Sequence, residues 1–196
     1  MKRELYFATP IYIEDVGTPE YNKFLEEKIK DWSTKEKGLT ISNSSGWHSP
    51  TNMHEDPTFE HLVGELDYAM KRIFMDESLD NEPFLANMWA NINYKGSYNK
   101  AHLHANSLWS GVYYIKTPKD CGVLKLQDPK SVSLMVKPKR NNNNFPQHSW
   151  TQISFEAVAG RLIIFPSYLT HWVEENKNEE ERISVSFNVL QKGMFV

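Results

Sequence analysis

Arg182-Ile-Ser-Val-Ser-Phe-Asn-Val189 alternates without a break. On extended chain Arg182, Ser184, Ser186 and Asn188 share one face, and Ile183, Val185, Phe187 and Val189 the other. Upstream, Asn87-Met-Trp-Ala-Asn-Ile-Asn-Tyr94 repeats the pattern, with Asn87, Trp89, Asn91 and Asn93 opposite Met88, Ala90, Ile92 and Tyr94. A strand meeting bulk water usually carries Lys and Glu on its polar face. Asn, Ser and Arg instead point to the wall of a wet cavity.

Working outward, short runs of period near two, broken by Gly, Pro and Asn, occupy the chain from Pro83 onward. They predict strands at Leu108 to Ile115, Val123 to Gln127, Val132 to Lys137, Trp150 to Glu156 and Arg161 to Phe165. Before Pro83 the period is helical. Leu5 to Ile13 reads as a first strand; Thr18-Pro19-Glu20 then opens a helix, with Thr as N-cap and Pro in the first turn. Its apolar face carries Tyr21, Phe24, Leu25, Ile29 and Trp32. Lys35 to Pro50 reads as loop. Asp56-Pro57 opens a second helix bearing Phe59, Leu62, Val63, Leu66, Met70 and Ile73. The expectation is a single domain over 1–196, with a helical flank over about 1–80 bracing one side of a β core over about 84–190. Asn141 to Asn144 reads as a flexible loop tip or a lid over a pocket.

A chain of 196 residues with 22 Lys and Arg against 25 Asp and Glu, net charge -3, has no basic field for a polyanion, so nucleic acid is not an expected partner. A small molecule or a peptide is. Cys121 is the only cysteine, which excludes an internal disulfide framework and fits a reducing cytoplasm. No run has the length of a signal peptide or a membrane span, so neither secretion nor a membrane is expected. A homodimer is the ordinary prior for assembly.

His102 and His104 are spaced i, i+2, so on extended chain both imidazoles leave one face and can reach one ion. The alternative is a pair of histidines bonded to backbone. His171 closes the run Gly160-Arg-Leu-Ile-Ile-Phe-Pro-Ser-Tyr-Leu-Thr-His171, and after a charged turn, Glu174 to Glu181, the chain returns as the Arg182 strand. Read as a hairpin, this places His171 and Arg182 one strand spacing apart, about 5 Å. That separation suits a five-carbon diacid, chelated at its oxo-acid end by a metal and met at the far carboxylate by the guanidinium fork. Ser184 adds a second hydrogen bond. The alternative for Arg182 is a surface ion pair with the glutamates of the turn. His48, His54, His61 and His148 show no comparable arrangement. Trp89, Asn91, Trp109 and Trp172 are candidates for the cavity wall or for the core.

With these residues in view, the chain resembles the 2-oxoglutarate and Fe(II)-dependent oxygenase superfamily, in particular a family distantly similar to prolyl hydroxylases. The resemblance covers about Phe84 to Val189. It rests on Trp89-Ala-Asn-Ile-Asn93, Asn99-Lys-Ala-His-Leu-His104, Ser110-Gly-Val-Tyr-Tyr114, Gly122-Val-Leu-Lys-Leu-Gln-Asp-Pro129, Phe165-Pro-Ser167, His171 and Arg182-Ile-Ser-Val-Ser-Phe-Asn188. It implies a mainly β double-stranded β-helix (jelly roll, cupin-like) with flanking helices. Fe(II) would sit on His102, His104 and His171, with 2-oxoglutarate held by Arg182 and Ser184. The prolyl-hydroxylase-like branch adds Tyr94 and Tyr114 as contacts to the oxo acid; core packing is the alternative for each.

The implied activity is that of a dioxygenase, an oxidoreductase that releases succinate and CO2 and hydroxylates a substrate. His104 departs from the pattern, because it stands where the superfamily places a carboxylate. Asp128 is the alternative carboxylate, although Asp-Pro at a strand end marks a turn. Two other readings share the fold: a three-His cupin-type dioxygenase that needs no oxo acid, and a binding module without turnover.

Overall fold

A computed structural model describes residues 1–80, 82–130, 135, 139 and 146–194. The predicted strand at Val132 to Lys137, apart from Met135, and the Asn141 to Asn144 loop lie outside the described residues. Eleven strands and two helices are described: β1 (Tyr12–Asp15), α1 (Pro19–Lys35), β2 (Asn43–Ser44), β3 (Trp47–His48), α2 (Glu60–Asp76), β4 (Pro83–Asn93), β5 (Tyr98–His102), β6 (Trp109–Lys116), β7 (Leu124–Gln127), β8 (Gln152–Phe155), β9 (Arg161–Pro166), β10 (His171–Val173) and β11 (Arg182–Gln191). They form two antiparallel sheets, ordered β1-β9-β6-β11-β4-β3 and β2-β5-β10-β7-β8.

The six-stranded sheet is two-faced because its strands alternate in register. β11 lies between β4 and β6, pairing Arg182 with Asn93, Ser184 with Asn91 and Tyr114, and Ser186 with Trp89 and Val112. These residues share one face. Met88, Ala90, Ile92, Ile183, Val185 and Phe187 occupy the other, in a core with Leu25 and Ile29 of α1 and Leu62, Leu66 and Ile73 of α2. Each buried Val, Leu, Ile, Met or Phe side chain among them contributes about 1.5–3 kcal/mol, so the helices are fixed to the back of the sheet. The Thr18 hydroxyl accepts the Tyr21 N–H at 3.2 Å, with Pro19 in the first turn, as the cap reading required. No helix among the described residues is long and apolar enough to cross a membrane.

Three local expectations are corrected. The first strand spans only Tyr12–Asp15, since Leu5, Tyr6 and Phe7 are exposed and Phe7 takes a left-handed φ of 63°. The loop from Lys35 to Pro50 contains two short strands, β2 and β3, that add to β5 and β4. A 3-10 turn over Pro57–Phe59 precedes α2, with the Asp56 carboxylate accepting the Thr58 N–H at 2.8 Å.

The largest correction concerns the last third. β10 and β11 are not a hairpin: β10 lies between β5 and β7 in one sheet, β11 between β4 and β6 in the other. The charged turn crosses between sheets and is anchored by Asn176, fully buried, whose side-chain N–H groups donate to the carbonyls of Asn93 and Glu180 at 2.9 and 2.8 Å. His171 and Arg182 therefore face each other across the sandwich instead of standing side by side.

Candidate metal centre and co-substrate cavity

His102 ends β5 and His171 begins β10, and the two are direct cross-strand partners. Their rings lie 4.3 Å apart between centroids. His104 follows two residues after His102; its ring lies 5.0 Å from both of the others. One ligand nitrogen from each of the three falls within 4.8 Å of the other two.

Backbone carbonyls set the tautomers. His102 Nδ1 donates to the Lys100 carbonyl at 2.7 Å, and His171 Nδ1 to the Leu169 carbonyl at 2.9 Å. Each Nε2 is thereby left with its lone pair toward the centre, the usual arrangement of metal-binding imidazoles. Burial, reinforced by the other imidazoles, pulls His104 down to about 4 and His171 to about 3, and burial lowers His102 as well. All three rings are neutral at physiological pH and ready to ligate. Neutral imidazoles suit Fe(II), and three of them leave coordination positions open.

No carbonyl contacts the ring of His104 among the described residues; aromatic faces hold it. His104 stacks on Trp89 at 5.8 Å and 19°, and Trp89 on His48 at 5.5 Å and 10°. His48 is almost wholly buried, with Nδ1 against the Ser49 carbonyl. It carries no spacing signal in the sequence, because β3 is only two residues long.

The triad opens into a cavity between the sheets, whose far wall includes Arg182, Ser184 and Tyr114. Arg182 is 1% exposed. Its guanidinium donates to the Cys121 carbonyl, and burial lowers its pKa, although a guanidinium stays charged. No described carboxylate pairs with it, which contradicts the alternative of an ion pair with the turn glutamates. A desolvated cation without a counterion is costly unless an anion enters. Tyr114, fully inside, is pushed up to about 12 by burial and keeps its proton. The residues present therefore fit a divalent metal at one end of the cavity and a carboxylate at the other.

Trp89 and Asn91 line the cavity as expected, along with Asn99, Phe165 and Ser186. Trp109 packs in the helix-side core, and Trp172 points away because His171 and Val173 take the inward positions. Tyr94 is not brought to the cavity: it is 49% exposed and falls outside the alternation that sends Asn91 and Asn93 inward. Asp128 is outside the triad. It lines a separate groove beside the N-terminal segment and accepts the Lys130 N–H at 3.0 Å, the turn its Asp-Pro sequence suggested.

Solved structures share this architecture. A Pseudomonas putida prolyl-4-hydroxylase superposes with a TM-score of 0.69 at 14% identity, over 94% of both chains. The non-heme alpha-ketoglutarate-dependent epimerase SnoN from nogalamycin biosynthesis gives 0.71 at 10% identity, over 93% of this chain and 77% of its own. HygX from Streptomyces hygroscopicus, with nickel and 2-oxoglutarate bound, gives 0.63 at 13%, over 94% and 84%. At such identities the likeness is one of fold, the double-stranded β-helix. No curated protein matches the sequence. The profile of the family described as "Putative 2OG-Fe(II) oxygenase" matches residues 87–188, more than half the chain and the stretch that carries the triad and Arg182. The chain belongs to that family of 2OG-Fe(II) oxygenases.

Proposed function

We propose that this protein is a non-haem Fe(II)- and 2-oxoglutarate-dependent dioxygenase that hydroxylates a small-molecule or peptide substrate and releases succinate and CO2. One observation carries the reading: three neutral imidazoles and a buried guanidinium with no carboxylate partner among the described residues line the same cavity from opposite sheets. His102, His104 and His171 would hold the iron. Arg182 would clamp the distal carboxylate of 2-oxoglutarate bidentately, with Ser184 and Tyr114 donating beside it. The metal supplies oxygen activation; the protein supplies position and exclusion of water.

The three-His set also favours a cupin-type dioxygenase that uses no oxo acid. Arg182 opposes that reading, because such an enzyme leaves a desolvated charge unanswered. The test is thermal stability with Mn(II), with 2-oxoglutarate, and with both. Binding to the native state stabilises it by RT ln(1 + [L]/Kd), so a chelating co-substrate acts strongly only when the metal is present. Metal stabilisation that is indifferent to 2-oxoglutarate would select the cupin reading. Succinate release under Fe(II) and O2 then separates turnover from binding alone.

A further inference from the structure

A second chamber meets the cavity at the triad. It is lined by Ile41, His48, Thr51, Asn87, Leu103 and Asn188, with Ser42, Trp89, His102 and His104 common to both spaces. Arg182 is the only Asp, Glu, Lys or Arg among the described residues lining either space. This has a consequence for charge. A divalent ion on three neutral imidazoles, together with Arg182, exceeds the charge of a dicarboxylate co-substrate by one unit. A carboxylate ligand in place of His104 would cancel it. Here the unit is uncompensated inside walls that are neutral, where an unanswered charge is costly.

Asn87 is placed to meet an anion. The Asn188 amide donates to Asn87 Oδ1 at 2.7 Å while its own oxygen accepts the Ser110 hydroxyl at 2.7 Å. The Asn87 oxygen is thus engaged, and its NH2 has no other partner among the described residues. We propose that the outer chamber receives a singly charged anion, and that the substrate of this protein is a small carboxylate and not an amine or a basic peptide. The inference rests on the metal and 2-oxoglutarate reading of the neighbouring cavity.

Protein loaded with Co(II) and saturating 2-oxoglutarate, at constant ionic strength, is titrated with acetate, acetamide, chloride and methylammonium while the cobalt absorption bands are followed. Acetate is expected to bind at least about tenfold more tightly than its neutral analogue acetamide, equivalent to about 1.4 kcal/mol. Methylammonium should leave the spectrum unchanged. In His104→Asp, which restores the missing negative charge, the advantage of acetate over acetamide should collapse. Equal affinity for acetate and acetamide in the unaltered protein overturns the proposal without recourse to any variant, as does a preference that survives intact in His104→Asp. Chloride binding as tightly as acetate would assign the site to an inorganic ion and overturn the carboxylate substrate. Joint stabilisation by metal and 2-oxoglutarate is measured first on the same samples. Its absence overturns both readings, whereas its presence without an acetate preference overturns this one alone.

Discussion

His104 and His171 bring their Nε2 atoms to 3.2 Å of each other, although one lies two residues beyond the end of β5 and the other at the head of β10. With His171 Nδ1 committed to the Leu169 carbonyl, its Nε2 is an acceptor. Two ring nitrogens this close cannot both be protonated cations. Either a single N–H lies between them or an ion draws on both lone pairs, so the metal-free centre is a neutral pair that a cation can divide.

Stability of the metal-free protein should therefore fall with acid in a defined window. Free histidine titrates near 6.5, whereas folded His104 and His171 do so at about 4 and about 3. Between those values the unfolded chain binds more protons than the folded one. The stability is fully present above pH 6.5 and is lost as pH falls toward 4. Urea midpoints at pH 7.5, 6.5, 5.5 and 5.0 should descend across the last three, with a shallower slope in His104→Gln. A flat profile would contradict the neutral-pair description.

Much of this centre was legible before any coordinates. The i, i+2 spacing of His102 and His104 and the alternation of the Arg182 strand depend only on the geometry of extended chain, and both hold. What failed required knowledge of where the chain crosses space. Local pattern cannot distinguish a turn that closes a hairpin from one that changes sheets, and Asn176, which anchors the crossing, is an ordinary residue in sequence. Tyr94 shows the same limit at smaller scale, since β4 stops at Asn93 and the alternation stops with it. The His48–Trp89–His104 stack joins three separate segments, and stacking leaves no periodic trace.

Replacing Arg182 should separate stability from function. Arg182→Met removes a buried cation that has no counterion among the described residues, at the cost of the hydrogen bond to the Cys121 carbonyl. Replacing even a buried ion pair by apolar residues of similar volume is often neutral or stabilising by about 1–4 kcal/mol, and here there is no ion-pair attraction to a described carboxylate to lose. The metal-free variant should be at least as stable as the parent. It should retain the Mn(II) shift and lose the additional shift from 2-oxoglutarate. Calorimetric scans of both proteins with each addition check this, and an undiminished joint shift would remove the clamp assignment.

Gly122 supports the proposed clamp residue, Arg182, from the other side of Cys121. Its φ is +86°, and a Cβ there would lie 2.2 Å from the Glu174 carbonyl oxygen and 3.0 Å from a guanidinium nitrogen of Arg182. Gly122→Ala combines left-handed backbone strain, about 1–2 kcal/mol, with a collision against backbone that has no rotamer to give. The expected outcome is a loss of about 2 kcal/mol or more in denaturant midpoints, with weakened binding of 2-oxoglutarate. Gly96 offers the contrast: its φ is +84° with open space around it, so Gly96→Ala carries the strain alone and should leave 2-oxoglutarate binding unchanged.

Trp89 should act on the metal without touching it. His102 and His171 are oriented by carbonyls, whereas the plane of His104 rests on the Trp89 ring, itself backed by His48. Partners that orient a metal ligand are worth about 10- to 100-fold in metal affinity. Trp89→Ala removes the face and should weaken Co(II) binding by about tenfold, with a changed cobalt absorption spectrum that reports altered ligand geometry. Trp89→Phe keeps an aromatic face and should preserve both the spectrum and the affinity. Loss of packing alone would lower stability in proportion to the volume removed, about 3–5 kcal/mol for Trp→Ala, yet leave the spectrum of the bound ion unaltered in molecules that remain folded. An unchanged spectrum in folded Trp89→Ala would therefore reduce this tryptophan to a core residue and leave the orientation of His104 to the metal itself.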